Sequence, residues 1–352
     1  MTILDPPIVR APAFGPGDWL NTEHPLTMAT LRGRVTLVDF WDYSCVNCVR
    51  TLPYLTAWHE RYARLGLTIV GVHAPEFPFG REARAVRAAM DEFGIRYPVL
   101  LDNDYQTWDA YANQYWPAKY LIDARGYIRY RNHGEGYYHE TERAIGALLR
   151  EISPDLDLPD PLPLLRPEDA PGAVCYRPTP ELHAGYLRGS LGNQEGYAAG
   201  ATALYTLPEA REVDHFYVEG AWRAGETYMA YVGAETGSVV LRYAAAEVNA
   251  VLSPNADAVE RALHPDAVAE VEVWQDGAPL TRDSAGRDVT FTPAPIARVT
   301  RPRMVNLVRN PGFARHELTL RVRTPGLALY AFSFSGCAAA PGETDARTYI
   351  AT

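Results

Sequence analysis

The first half of the chain alternates short apolar runs with segments in which apolar residues recur every three or four positions. Apolar runs of this length are typical of buried strands, and the longer spacing is typical of amphipathic helices. Strands that alternate with helices indicate a mainly parallel or mixed sheet covered on both faces, an α/β fold. In chain order the predicted elements are strand Val35–Trp41, helix Val46–Leu65, strand Leu67–His73, helix Arg81–Phe93, strand Tyr97–Leu101, helix Tyr105–Gln114, strand Ala118–Ile122, strand Tyr127–Arg131 and helix Glu140–Glu151.

A proline-rich segment separates this half from the rest of the chain. Eight prolines lie between Ser153 and Pro180, and they oppose both helix continuation and central strand pairing. Beyond them helical spacing ends and short strand candidates follow one another, which is typical of an all-β sandwich or jelly roll. These candidates are Val213–Glu219, Glu226–Val232, Ser238–Tyr243, Glu247–Leu252, Ala269–Gln275, Leu318–Arg323 and Ala328–Phe334. We therefore expect an α/β domain over 1–152, a linker over 153–180 and an all-β domain over 181–352.

Composition and charge narrow the class of protein. The 352 residues are 47% hydrophobic and 22% charged, as in ordinary globular proteins. A net charge of −10 disfavours nucleic acid as a partner. Lys119 is the only lysine in the chain. No apolar run reaches membrane-spanning length and the first residues lack a signal-peptide pattern, so these features predict a cytoplasmic protein.

Two cysteines carry the candidate chemistry. Cys45 and Cys48 directly follow the first predicted strand and fall in the first turn of the next helix, and a C-x-x-C in this position is typical of a redox pair. Because a helix N-terminus stabilises a thiolate, we expect a lowered pKa at Cys45, which would attack, while Cys48 would resolve the mixed disulfide. Structural zinc needs four ligands, and the chain has no second C-x-x-C; we expect no metal and no cofactor beyond the Cys45–Cys48 disulfide. Whether Cys175 and Cys337 are bridged stays open.

The segment Val38–Cys48 resembles the active-site stretch of the thioredoxin-fold thiol–disulfide oxidoreductases, especially those of the TlpA/ResA type. Pro53 matches the proline of the active-site helix, and Pro117 matches the family's cis-proline. The extra helix–strand unit between His73 and Asp102 matches the insertion of the TlpA type. The resemblance covers most of the first domain and implies a thioredoxin fold with that insertion.

The same resemblance implies roles for residues around the cysteines. Pro117 is expected to be cis and to border the groove that receives a substrate strand. Asp39 would be the buried carboxylate that takes a proton when Cys48 attacks, or else a satisfied core aspartate. Lys119, two residues beyond Pro117, should face Asp39 and pair with it; the alternative is a solvated lysine. The expected apolar rim of the groove consists of Trp41, Tyr43 and Trp116.

Four positions depart from related patterns. Val46 and Asn47 stand between the cysteines, where thioredoxins carry Gly-Pro. Thr51 stands where TlpA/ResA-type proteins often carry a glutamate, so we do not transfer the acid–base role of that glutamate. Asp42 stands where a peroxiredoxin would need the threonine of its T-x-x-C motif, which disfavours that family.

The second half resembles the C-terminal module of DipZ-type proteins, in which a jelly roll similar to carbohydrate-binding modules follows a TlpA-like domain. The resemblance rests on Thr179–Gly189, Leu241–Asn249 and Leu327–Phe334. It implies a glycan as a candidate ligand, with Trp222 and Trp274 either as stacking platforms or as core residues. This chain shows no membrane-embedded electron-transfer segment of the kind that DipZ-type proteins carry, so its electron donor is unidentified.

These observations together predict a two-domain thiol–disulfide oxidoreductase that reduces the disulfides of protein partners. The alternative is a binding or adaptor protein, in which the jelly roll recognises a glycan or a protein and the thioredoxin fold is a scaffold. The resembled families usually work outside the cytoplasm, and that is the alternative location.

Overall fold

In a computed structural model of the protein, residues 3–170, 173 and 175–337 are described, and the chain divides into two compact units, 1–165 and 166–352. Residues 171, 172 and 174 of the predicted linker and 338–352 of the predicted C-terminal domain lie outside the described residues. Among the described residues, no helix is both long and apolar enough to cross a membrane.

The first unit is built on a mixed sheet flanked by helices. Its elements are β1 (Trp19–Leu20), β2 (Val35–Trp41), α1 (Val46–Tyr62), β3 (Leu67–His73), α2 (Ala83–Glu92), β4 (Val99–Leu101), α3 (Gln106–Ala110), β5 (Ala118–Ile122), β6 (Ile128–His133) and α4 (Tyr138–Ile152), with short 3₁₀ helices at Ala63–Leu65 and Pro78–Arg81. The strand order is β1-β4-β3-β2-β5-β6. β2, β3 and β4 are parallel to one another, whereas β5 and β6 run antiparallel. This sheet confirms the α/β fold expected for the first half.

The central strands coincide with the apolar runs in the sequence. All seven residues of β2 are buried, because helices cover both faces of a sheet that contains parallel strands. β2, β3 and β5 have the predicted bounds, whereas the third helix is limited to Gln106–Ala110. β1 was not predicted, since two residues paired at the sheet edge leave no periodic signal.

The described part of the second unit is an antiparallel β domain. Its elements are β7 (Leu182–His183), β8 (Thr202–Tyr205), β9 (Phe216–Ala224), β10 (Met229–Tyr231), β11 (Gly237–Ser253), α5 (Ala258–Leu263), β12 (Ala269–Gln275), β13 (Ala278–Pro279), β14 (Val289–Phe291), β15 (Pro295–Val299), β16 (Arg303–Val322) and β17 (Ala328–Ser335), with 3₁₀ helices at Pro167–Asp169 and Arg282–Ser284. The eleven strands are joined by antiparallel pairing, and most of them contribute buried residues to a common hydrophobic core. The all-β class predicted for the second half is confirmed.

Two long strands organise this β domain. β11 replaces the two strands predicted over Ser238–Tyr243 and Glu247–Leu252, and its register shifts between Ala245 and Glu247. Such a bulge bends a strand without ending it. The first part of β11 consequently pairs with β9 and the last part pairs with β17. β16, which extends far beyond the predicted Leu318–Arg323, accompanies β11 along most of its length.

A disulfide joins the two ends of the β domain. Cys175 and Cys337 are bonded, and their Cα atoms lie 4.1 Å apart. The Tyr176 N–H donates to the Gly336 carbonyl beside the bridge. The question that the sequence left open is thereby answered in favour of the bridged form.

We expect the double variant Cys175→Ser/Cys337→Ser to lose about 2–5 kcal/mol of unfolding free energy in the second unit, because the bridge closes a loop between residues 162 positions apart. Calorimetry that resolves the transitions of the two units would measure the loss. Dithiothreitol should lower the same transition in the wild type and leave the variant unchanged. Equal stability of wild type and variant would contradict the expectation.

Candidate active site

The two cysteines lie where β2 leads into α1. Cys45 is the N-cap of α1, and its Sγ accepts a hydrogen bond from the Cys48 N–H at 3.2 Å. The two Sγ atoms lie 2.6 Å apart. Cys45 is partly exposed and Cys48 is fully buried. A sulfur atom of another molecule can therefore reach Cys45 but not Cys48, whichever of the two sulfurs attacks.

The turn before Cys45 is held by a buried carboxylate. Asp42 accepts hydrogen bonds from the Ser44 N–H at 2.6 Å, from the Ser44 hydroxyl and from the Glu76 N–H at 2.9 Å. The Cys45 N–H donates to the Asp42 carbonyl at 3.3 Å. These bonds fix the path of the chain from β2 to the N-terminus of α1.

A buried histidine lies beside this turn. Nε2 of His73 lies 3.7 Å from an Asp42 carboxylate oxygen, and both side chains are fully buried. The ring of Tyr43 stacks on His73, and the ring of Trp41 meets it edge-on. The sequence interpretation did not place Asp42 and His73 in the site. The signal for them was their position at or just beyond the carboxyl ends of neighbouring parallel strands, where functional side chains converge in open α/β sheets.

The electrostatic surroundings of Cys45 differ from the expectation. Burial raises the pKa of the Cys45 thiol, the hydrogen bond from Cys48 opposes this rise, and the charges of Glu76 and Asp42 add to it. The predicted lowering of the Cys45 pKa is therefore not found, since loss of hydration and two nearby carboxylates disfavour the thiolate that the helix N-terminus would stabilise. Burial also raises the pKa of Cys48 well above its usual range.

The predicted partners Asp39 and Lys119 lie directly opposite each other on β2 and β5. Opposed residues of antiparallel strands project from the same face of the sheet. Both side chains are fully buried, and neither the Asp39 carboxylate nor the Lys119 ammonium has a hydrogen-bond partner within the described residues. Burial raises the pKa of Asp39 to about 7 against the opposing charge of Lys119. Burial lowers the pKa of Lys119, which Asp39 and Cys48 oppose.

The predicted groove lies at the start of β5. The Trp116–Pro117 peptide bond is cis. Trp116 is partly buried, and its indole N–H donates to the Ala74 carbonyl at 3.0 Å. Tyr115, the residue before it, is 54% exposed.

The predicted apolar rim needs correction. Trp41 and Tyr43 are buried, at 0% and 2% exposure, because Trp41 ends a central strand and Tyr43 packs against His73 and Phe79. They contribute to the core beneath the site. Trp116 alone of the three predicted aromatic residues keeps an exposed edge, and exposed Tyr115 was missed.

Of the tryptophans considered as sugar platforms in the second unit, Trp222 is buried and Trp274 is partly buried. Trp222 is fully buried in the core, and its indole N–H donates to the Glu219 carbonyl at 2.8 Å. The guanidinium carbon of Arg321 lies 3.7 Å from the ring centroid of Trp274. The face of Trp274 that Arg321 covers is thus not open to stacking by a sugar.

Two known families match this chain, and their matches lie on either side of the boundary between the two units at residues 165 and 166. Residues 10–131 match the AhpC/TSA family, and residues 179–335 match the family described as the thioredoxin like C-terminal domain. Protein DipZ of Mycobacterium tuberculosis is 35% identical over 283 residues, which are 77% of this chain and 37% of DipZ. The chain therefore corresponds to little more than a third of that relative.

Shorter relatives match the first unit. The thiol-disulfide oxidoreductase YkuV of Bacillus subtilis is 30% identical over 134 residues, which are 38% of this chain and 88% of YkuV. The solution structure of a thioredoxin-like protein in its oxidized form is 28% identical, with a TM-score of 0.38, and the match covers 43% of this chain and 99% of that protein.

The relatives overturn one expectation and establish the family. The predicted cytoplasmic location is wrong, because DipZ and ResA relatives are extracytoplasmic thiol–disulfide oxidoreductases. The Cys175–Cys337 disulfide agrees with this correction, since disulfides persist in oxidising compartments. With a C-x-x-C pair at the start of α1 and a match to nearly the whole of YkuV, the chain belongs to the thioredoxin-like thiol–disulfide oxidoreductases.

Proposed function

We propose that this chain reduces disulfides of protein partners through Cys45 and Cys48. The observation that carries the proposal is the contact between a partly exposed Cys45 sulfur and a fully buried Cys48 sulfur at the N-terminus of α1. This arrangement gives the two thiols different tasks, since a partner sulfur reaches only the first. The domain division 1–152, 153–180 and 181–352 stays part of this proposal.

The reaction follows from these positions. The Cys45 thiolate attacks a partner disulfide; that S–S bond breaks, a mixed disulfide forms, and the first partner sulfur leaves as a thiolate that takes up a proton. The Cys48 thiolate then attacks the Cys45 sulfur, the mixed disulfide breaks, and the second partner thiol is released. Two electrons pass from the dithiol to the partner, so a separate thiol donor must reduce Cys45–Cys48 again. This donor is unidentified.

Asp39 is the proposed acceptor of the Cys48 proton. Its carboxyl group has a pKa of about 7, so it can hold or release a proton near neutral pH. The negative charge of ionised Asp39 raises the pKa of Cys48 further, so a proton taken up by Asp39 removes that charge as the Cys48 thiolate forms. Lys119 is the proposed counter-charge for both groups, because Asp39 and Cys48 each interact with it electrostatically.

The edge beside Pro117 is the proposed substrate groove. The Pro117 carbonyl already accepts the Gly134 N–H at 2.8 Å, which leaves the backbone before Pro117 to pair with a partner strand. Trp116 and Tyr115 would pack against that strand. A glycan ligand for the second unit stays a prediction, to which Trp222 cannot contribute because it lies in the core.

We expect Cys45→Ser to abolish the reduction of insulin disulfides in an assay in which dithiothreitol reduces the protein again after each turnover. The reason is that Cys48, the other thiol of the pair, is buried and cannot reach a partner. Cys48→Ser should instead accumulate a mixed disulfide with insulin, visible on a non-reducing gel. The double variant Cys175→Ser/Cys337→Ser is the matched control and should retain activity. Full activity of Cys45→Ser would show that the reaction does not pass through this pair.

We expect Lys119→Met to raise the pKa of Cys48, because it removes the positive charge that favours a buried thiolate and leaves a side chain of similar length. Thiolate absorbance in the ultraviolet as a function of pH would report the change in a Cys45→Ser background, where Cys48 is the remaining free thiol. Met is also compatible with burial, so the fold should be kept. An unchanged Cys48 pKa would remove Lys119 from the mechanism.

We expect Asp39→Asn to gain stability relative to wild type as pH rises. The folded-state pKa of Asp39 is raised from 3.8 to about 7, so the unfolded chain loses this proton first. The contribution of Asp39 to the unfolding free energy of the wild type therefore falls between about pH 4 and 7, and it is constant at higher pH. Urea unfolding of both proteins across this range would show a growing difference of a few kcal/mol. A constant difference would contradict the raised pKa.

A further inference from the structure

A short loop after β6 is held against the start of β5. The Gly134 N–H donates to the Pro117 carbonyl at 2.8 Å, and the Asn132 amide group donates to the carbonyls of Gly134 and Gly136 at 3.2 and 3.3 Å. Gly134 and Gly136 have φ values of +83° and +87°, which glycine adopts without strain. The residue between these two glycines is Glu135.

Glu135 links this loop to the active-site helix. Its carboxylate lies 3.3 Å from the guanidinium of Arg50, and Arg50 is two residues beyond Cys48 on α1. The side chains of Arg50 and Glu135 are 14% and 33% exposed. Charges that are mostly withdrawn from water are screened less by solvent and salt, so they act over longer distances on buried groups.

Lys119 lies between this loop and Asp39. It is opposite Asn132 on β6 and opposite Asp39 on β2, so its side chain shares a face of the sheet with both. Four groups act electrostatically on the buried ammonium, from β2, from α1 and from the loop: Asp39, Cys48, Cys45 and Glu135. Asp39 also acts electrostatically on Tyr97, whose pKa burial raises well above its usual range.

We propose that Arg50 and Glu135 form a positioning pair that sets the charge balance around Lys119, Asp39 and Cys48 during thiol–disulfide exchange. The inference rests on the proposed function and adds two residues to it. The negative charge of Glu135 partly offsets the positive charge of Lys119. The positive charge of Arg50 in turn partly offsets that of Glu135. Arg50 precedes Thr51 on α1, and Glu135 acts electrostatically on the same Lys119 ammonium as Cys48 does.

The pair acts on the resolving step. In that step the Cys48 proton passes to Asp39, the Cys48 sulfur bonds to Cys45, and the partner sulfur leaves with the electron pair of the broken bond. Negative charge builds on Cys48 before the new bond forms. Glu135 disfavours that charge and Arg50 favours it. Removing Glu135 should therefore favour the resolving step, and removing Arg50 should disfavour it.

The test compares Glu135→Gln, Arg50→Gln and the double variant. In a Cys45→Ser background, Glu135→Gln should lower the pKa of Cys48 and Arg50→Gln should raise it, while the double variant returns close to the starting value. In the active chain, Glu135→Gln should shift the pH profile of insulin reduction towards lower pH, and Arg50→Gln should shift it towards higher pH. We expect changes of roughly two- to fivefold in rate at a fixed pH on the rising limb.

The control is Glu140→Gln, which removes an equal charge from an exposed ion pair with Arg143 on α4 and should leave the Cys48 pKa unchanged. If the Arg50–Glu135 pair only anchors the loop, both single variants break it and shift pKa and rate in the same direction, which overturns the proposal. Unchanged pKa values in both variants also overturn it. Failure of the proposed function would look different, since the unsubstituted chain would then not reduce insulin at all.

Discussion

The antiparallel pairing of β2 with β5 is the constraint on which the site depends. β2 leads into the turn that ends at Cys45, and β5 begins directly after cis Pro117. Their register places Asp39 opposite Lys119. A shift by one residue would turn one of these side chains to the other face of the sheet, away from its partner. The same pairing therefore places the dithiol, cis Pro117 and the buried charges relative to one another.

Burial of Asp39 and Lys119 is unfavourable in free energy, because both charged groups lose their hydration. Neither the Asp39 carboxylate nor the Lys119 ammonium has a hydrogen-bond partner within the described residues, although each is fully withdrawn from water. The attraction between the two charges offsets part of the free energy that is lost with their hydration. The part that is not offset raises the pKa of Asp39 and lowers the pKa of Lys119. A carboxyl group with a pKa of about 7 is poorly suited to stabilising a fold and well suited to exchanging a proton beside Cys48.

The second unit depends on a different constraint. Its two longest strands, β11 and β16, run side by side, and a bulge lets β11 pair with β9 at one end and β17 at the other. The Cys175–Cys337 bridge ties the segment before β7 to the residues that follow β17. Such a bridge is of use only where disulfides persist, which agrees with the extracytoplasmic relatives.

The sequence by itself determined the central elements and the reacting pair. Mostly apolar runs predicted β2, β3 and β5 with the bounds that the structure shows, because nearly all of their residues are buried and leave an almost continuous signal. The C-x-x-C after such a strand indicated Cys45 and Cys48, since local spacing alone places both on the first turn of a helix. The same local pattern did not reveal that Asp42 and His73 meet, because Asp42 follows β2 and His73 ends β3.

Only the tertiary structure decided the environment of these residues. Whether Trp41 and Tyr43 line a groove or fill the core depends on what packs over them, and both are buried. The direction in which the Cys45 pKa shifts depends on the balance between a helix N-terminus, burial and the nearby carboxylates of Asp42 and Glu76, which the folded chain brings together. The Arg50–Glu135 contact likewise joins residues 85 positions apart in the sequence. Hydration and electrostatics act through space, and a pattern along the chain records only what lies nearby.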